Sequence, residues 1–251
     1  MAFRAGYNSN VVATSRTVGF NLYGISPGIS YYHKSGLYAD GTTYYSQQYS
    51  PNFYLSILSG GYMKTAFKHW SFLTEYSHYF YSHPGSAIYS PYTNNLGAFN
   101  YFEFKPITLR LDYYFYFGEK NAHRILPGVM FRWEKKNWIG LDRISFFPSF
   151  SVLFGSERIT ADYKFYPDYL QRYQKNQTLP PNEQLPLYYA DNKTVFGLMN
   201  YSFSAPLSLT KKNWTVLVSY TYNIPRALPD EDLGLKNGGY VSLSITRYIT
   251  F

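Results

Sequence analysis

The sequence predicts an all-β fold: a closed, antiparallel transmembrane β-barrel of about twelve strands. Three observations predict it. Side-chain character alternates with a period of two along most of the chain, the repeat of a strand with two unlike faces. Connectors are short at one end of the strands and long at the other. Aromatic residues gather near strand ends, as in the girdles that mark a membrane–water interface.

The predicted strands are 2–9, 23–34, 37–48, 52–64, 70–82, 95–105, 107–118, 124–134, 138–155, 194–209, 214–225 and 238–251. Ser35-Gly36, Lys68-His69 and Pro106 make short turns between the early strands, while 10–22 and 83–94 are long connectors. Ile107, Leu109, Leu111, Tyr113, Phe115 and Phe117 alternate with Thr108, Arg110, Asp112, Tyr114 and Tyr116. Val129, Phe131 and Trp133 alternate with Met130, Arg132 and Glu134, and a short turn follows at Lys135–Asn137. Ile144 to Phe154 repeats the pattern before the longest connector, 156–193. Met199 to Thr210 and Trp214 to Asn223 flank a short turn at Lys211–Asn213, and the long connector 226–237 precedes the last strand. There Val241, Leu243, Ile245 and Ile249 alternate with Ser242, Ser244, Thr246 and Thr250. A helical period is absent from these spans; the best helix candidate is 159–175, weakened by its aromatics and Pro167.

Alternation alone does not say which face is inside. The apolar face, rich in Leu, Ile, Val and Phe, suits lipid, whereas a soluble core built from the other face would bury many hydroxyls. Trp70, Trp133, Trp138 and Trp214 all lie beside short turns; Tyr44, Tyr45, Tyr79, Tyr81, Tyr116 and Tyr222 lie toward the long-loop ends. Two girdles around an apolar band follow from that distribution. A sheet in hydrocarbon must close, because an open edge leaves backbone groups unpaired.

Composition agrees. The chain has 251 residues, 45% hydrophobic, 22% aromatic and only 15% charged, which argues against disorder. It has no Cys, so disulfides, thiolate metal sites and a Cys nucleophile are excluded. The formal charge is +8, but Lys and Arg are scattered and no basic face forms, so nucleic acid is not an expected partner. No apolar run is long enough for a membrane helix, and no signal peptide is visible, so a mature exported chain is expected. The five His show no metal-ligand spacing and no phosphate-cradling loop occurs, so neither metal nor cofactor is expected.

The ending Tyr240-Val-Ser-Leu-Ser-Ile-Thr-Arg-Tyr-Ile-Thr-Phe251 resembles the last strand of bacterial outer-membrane β-barrel proteins. The resemblance in pattern covers most of the chain. It implies a single barrel domain over 1–251 in the bacterial cell outer membrane, with short periplasmic turns, long extracellular loops and both termini periplasmic. It also implies that Phe251 is an assembly signal, read by the barrel-assembly machinery through the C-terminal strand. Outer-membrane lipid and lipopolysaccharide are the implied surroundings. Arg247 departs from the pattern on a lipid-facing position, from which it can snorkel to the interface.

The inward positions carry Arg4, Asp40, Glu75, Glu103, Arg110, Asp112, Arg132 and Glu134. A turn at Pro106-Ile107 places Glu103 opposite Arg110 and Tyr101 opposite Asp112, and the next strand brings Arg132 and Glu134 to the same wall. Interleaved signs make this a zipper of ion pairs or a polar constriction that admits small solutes, not a uniformly charged filter. In the longest loop, Tyr163, Phe165, Tyr166, Tyr169 and Tyr173 form either a lid over the mouth or a contact surface for a protein or glycan. His33 and Ser35 share a strand face, and a neutral His can activate a hydroxyl, but they sit at a short periplasmic turn; lipid acyl hydrolases of this class work at the opposite end. Three functions follow in order: a non-enzymatic small pore or ligand-binding barrel; an accessory subunit docked on a larger outer-membrane secretion, uptake or barrel-assembly complex, with a protein partner there; and a lipid-modifying hydrolase.

Overall fold

A computed structural model describes residues 1–9, 24–47, 50–82, 92–231 and 234–249. The strand segments are β1 (Ala2–Asn8), β2 (Gly24–Tyr32), β3 (Leu37–Tyr45), β4 (Phe53–Phe67), β5 (Trp70–Tyr81), β6 (Tyr92–Phe104), β7 (Ile107–Gly118), β8 (Ala122–Phe131), β9 (Trp133–Trp138), β10 (Leu141–Phe146), β11 (Ser149–Phe165), β12 (Tyr188–Lys211), β13 (Trp214–Pro225) and β14 (Gly238–Tyr248). One helix, α1 (Tyr169–Asn176), lies between β11 and β12.

Among the described residues these segments make a closed, antiparallel barrel of twelve strands. β8 and β9 are one strand interrupted at Arg132, and β10 and β11 are one strand interrupted at Phe147 and Pro148. Proline has no N–H to give a ladder, and the hydrogen bonds redistribute around it: Phe131 N donates to Pro148 O at 2.9 Å and Arg132 N to Pro106 O at 2.7 Å. The ring closes where β1 pairs β14, from Ala2 opposite Tyr248 to Asn8 opposite Ser242. Closure leaves the ring itself without an edge, as hydrocarbon requires. At the turn end the β9–β10 hairpin stands apart, with β9 paired to β10 alone, and β4 runs on past its last β3 partner, Tyr62, to Phe67.

The two faces sort as expected. Phe3, Ile29, Leu58, Leu109, Val218 and Ile245 are exposed on the outside, and Phe203 keeps 48% of its surface accessible. Ser30, Thr42, Ser77, Asn95, Asp112, Ser219 and Asn223 are buried on the inside. Apolar out and polar in is a soluble core turned inside out, and lipid is the solvent that favours it. Inside, hydroxyls pair across strands: Ser59 with Ser77 at 2.8 Å, and Ser204 with Thr221 at 2.9 Å.

Four expectations need correction. Residues 135–137 do not turn; they continue β9, and the turn is Ile139-Gly140, with φ of 53° and 71°. Two consecutive positive φ values are the hairpin turn whose twist matches that of the strands it joins. The 156–193 segment is mostly strand. β11 and β12 stay paired from Glu157 opposite Val195 to Phe165 opposite Tyr188, with β-branched Val195 and Thr194 opposite Glu157 and Arg158 at the base and two aromatics opposite each other at the tip. The true connector is 166–187, and of the helix candidate 159–175 only the part from Tyr169 on coils, in α1 (Tyr169–Asn176), after Pro167. Not every connector at that end is long, since Gly118 reaches Ala122 through three residues, 119–121. Finally, Tyr44, Tyr79, Tyr81 and Tyr116 share the parity of buried Thr42, Ser77 and Asp112, so they face the lumen and not the membrane. Outward-facing aromatics near that end include Tyr7, Phe53 and Phe80.

The last residue of β11 paired to β8 is Gly155, so 156–165 rises past the β8 edge as a two-stranded ribbon with β12. Ten residues of strand extend about 33 Å. Its base is braced where Leu153, Met199 and Leu228 pack together in a buried cluster and Lys193 Nζ meets Asp230 Oδ2 at 2.5 Å. Its tip is not part of any core, since α1 has no buried residue. Deleting 167–186 and joining the strands by a short turn is expected to leave the barrel folded, checked by an unchanged heat-modifiable gel shift.

Candidate functional site

The lumen has two unlike walls. β3 to β7 turn inward the rings of Tyr38, Tyr44, Tyr79, Tyr101, Tyr114 and Tyr116. β11 to β14 turn inward small polar groups, among them Ser151, Asn200, Ser202, Ser204, Ser219 and Thr221. Each wall is simply the inward parity of its strands.

Charged groups sit in pairs. Arg4 Nη2 meets Asp40 Oδ2 at 3.1 Å and donates to Thr42 Oγ1 at 2.6 Å, and Ser30 Oγ donates to Asp40 at 2.5 Å. Tyr38 Oη donates to Glu75 at 2.5 Å, and Ser77 Oγ does so at 2.9 Å. Gly61 makes that reach possible: a Cβ there would lie 2.3 Å from the Thr74 carbonyl oxygen and 2.6 Å from the Tyr38 ring. Arg110 pairs with Asp112, which is fully buried, and its guanidinium lies 5.9 Å from the Tyr101 ring centre. Arg124 Nη2 meets Glu157 Oε2 at 2.6 Å, and Tyr92 Oη donates to the same carboxylate at 3.1 Å.

The predicted charge network is therefore partly redrawn. The β6–β7 turn is Lys105-Pro106, with Phe104 opposite Ile107. That register puts Glu103 opposite Thr108, Tyr101 opposite Arg110 and Phe99 opposite Asp112. Glu103 is thus not the partner of Arg110; the partner is Asp112, two residues along the same strand and on the same face. Arg132 and Glu134 do pair, at 2.9 Å, with Ser145 Oγ donating to Glu134 at 3.4 Å. They belong to the turn-end rim beside β10. The Arg124–Glu157 pair was missed. Arg124 shares the inward parity of Arg132, which is a usable signal, but Glu157 lay in a segment read as loop.

The aromatic tip coheres. Phe165 meets Tyr169 edge to face at 4.6 Å and Tyr188 at 5.5 Å, and Tyr169 stacks on Tyr173 at 6.1 Å. Arg172 lies 3.8 Å over Tyr166 and 2.7 Å from Asp168 Oδ1, a hydrogen bond that holds the Asp168 carboxyl below its ordinary value. Tyr163 is strongly exposed on the ribbon. Arg247 stands over Trp214 with 5.3 Å to the ring centre, a cation–π contact at the turn-end rim. Phe251 lies outside the described residues. His33 Nδ1 is 2.8 Å from Ser35 Oγ and accepts the Ser35 N–H at 3.3 Å, while Leu37 N donates to Ser35 Oγ at 3.4 Å. These contacts lock an exposed turn.

Two voids lie against the hydroxyl wall. The larger, about 300 Å³, is bordered by Tyr101, Arg110, Asn200, Ser202, Ser204 and Tyr240. The second, about 270 Å³, lies toward the turn end between Arg132, Arg143, Ser145 and Ser208. Both touch Met130 and Phe147, so they succeed one another along the barrel.

No protein-family model matches the sequence, and no curated protein matches it either. Solved structures do. The KdgM porin in complex with disordered oligogalacturonate is 8% identical, with a TM-score of 0.53 over 100% of both chains. The NanC porin is 11% identical, with a TM-score of 0.51 over 99% of each chain. LpxR from Salmonella typhimurium is 9% identical, with a TM-score of 0.50 over 99% of this chain and 100% of its own. At such identities the likeness is one of architecture, and the chain has the porin-like fold of outer-membrane β-barrels.

Proposed function

We propose that this chain is a non-enzymatic outer-membrane barrel that passes or holds a small polar solute. The observation that carries the reading is the succession of two voids along a hydroxylated wall, from Asn200 to Arg143. Twelve strands give a lumen between the eight-stranded barrels that side chains fill and the aqueous porins. The KdgM porin, of the same architecture, holds oligogalacturonate, which is consistent with solute in a barrel of this size. The location proposed is the bacterial outer membrane, with the termini and short turns in the periplasm and the aromatic ribbon outside.

Planar-bilayer recording of the purified full chain tests this. Stepwise single-channel conductance is the expected result. A silent barrel that co-purifies with other envelope proteins favours the accessory-subunit reading instead, whose supporting observation is the exposed ribbon tip around Phe165 and Tyr188. The hydrolase reading is tested in the same preparation by release of acyl chains from lipopolysaccharide. No release is expected, and release abolished by Ser35→Ala would replace the proposal.

A further inference from the structure

The charges of the lumen nearly cancel. Arg4, Arg110, Arg124 and Arg132 each hold a carboxylate, and Glu75 takes two hydroxyl donors. Interleaved opposite charges do not form the one-sign ring that selects an ion. What the wall offers instead is hydroxyl and amide chemistry, and the larger void concentrates it.

Asn200 lines that void and is 1% exposed. Its Nδ2 donates to Asn223 Oδ1 at 2.9 Å, but its Oδ1 accepts no hydrogen bond among the described residues. Arg110, three strands away on the border of the same void, has a buried Nε that donates none. A buried acceptor and a buried donor without partners are costly, and here both belong to residues of one cavity. The same void is lined by Ser202, Ser204 and Thr221, with the rings of Tyr101 and Tyr240 also on its border.

We infer that this void is a binding site for a neutral polyhydroxylated solute, a sugar unit or short saccharide. A hydroxyl both donates and accepts, so one kind of group suits the serine and threonine hydroxyls of the lining and, with a turn of either side chain toward the void, Asn200 Oδ1 and Arg110 Nε. A carboxylate gives nothing to Oδ1 and meets the carboxylate of Asp112 beside Arg110. A cation meets Arg110 itself. An apolar solute leaves both groups unpaired, the mismatch that polar sites reject most strongly. The tyrosine rings give the C–H side of a sugar an apolar surface, and a volume of about 300 Å³ is the low end for a small-ligand pocket. The inference rests on the solute-barrel reading and names the solute.

The test is calorimetric titration of the full chain in detergent with maltose, and with galacturonate as the anionic comparison. Saturable maltose binding is expected, weakened tenfold or more by Asn200→Leu and by Ser204→Val, with galacturonate binding no tighter than maltose. Ser204→Val changes one small lumen-facing side chain, so the test stands if Asn200→Leu fails to fold. Absence of saturable maltose binding, unchanged affinity in Ser204→Val, or galacturonate binding tenfold tighter each overturns the inference. Conductance recorded on the same preparation separates the two readings: steps without maltose binding reject this site and leave the pore, and binding without steps rejects the pore and leaves the site.

Discussion

Arg110→Ala is expected to destabilise the barrel by about 3–5 kcal/mol, the cost of breaking a buried pair from one side. The size follows from Asp112. Its side chain is fully buried, Arg110 is its ion-pair partner at Oδ2, where Tyr114 Oη also donates at a long 3.5 Å, and its Oδ1 accepts no hydrogen bond among the described residues. Removing the guanidinium leaves a carboxylate enclosed with little to neutralise it. Replacing both members by apolar residues, Arg110→Met with Asp112→Leu, is expected to recover most of the loss, because the stranded charge is then gone. Urea titration in phospholipid vesicles, followed by tryptophan fluorescence, measures both. Equal midpoints for the wild type and Arg110→Ala would reject the pairing.

Val218→Arg is the second large effect, and it tests orientation rather than pairing. Val218 is exposed, lies near the middle of β13 and sits between Leu207 and Leu243 on the outer face. An arginine facing lipid near the bilayer midplane costs about 2–4 kcal/mol. The same substitution on a water-facing surface changes stability by a few tenths. Val218→Phe is the control that keeps the site apolar. Equal stability of the Arg and Phe variants in vesicles would mean that Val218 does not face lipid.

The barrel was legible because its rule is local. Val216 and Val218 alternate with Leu217 and Ser219 whether or not the partners are known, and facing follows from parity. Register is not local in that way. Shifting the turn by one residue, from Pro106-Ile107 to Lys105-Pro106, moved every cross-strand partner of Arg110 by two positions and exchanged Glu103 for Tyr101. Parity survived the shift, so Arg110 and Asp112 were placed inside correctly while their pairing was not. Strand length was the other blind spot. Polar stretches such as Ser156–Arg158 and Lys135–Asn137 read as connectors, yet they are strands at the two ends of the ring. Alternation marks a strand only where its two faces meet different solvents. The void around Asn200 was invisible for a further reason: it is made by inward residues of strands far apart in sequence.

The first and last strands are neighbours, and the Met1 amino group donates to Ile249 O at 2.9 Å. The ladder is thus a ring, and the nick in it lies between β14 and β1. Bridging that nick and cutting instead at Lys68-His69 would give a permuted chain with the same ladder, and the order in which strands leave the ribosome could then be varied while the finished object stays the same.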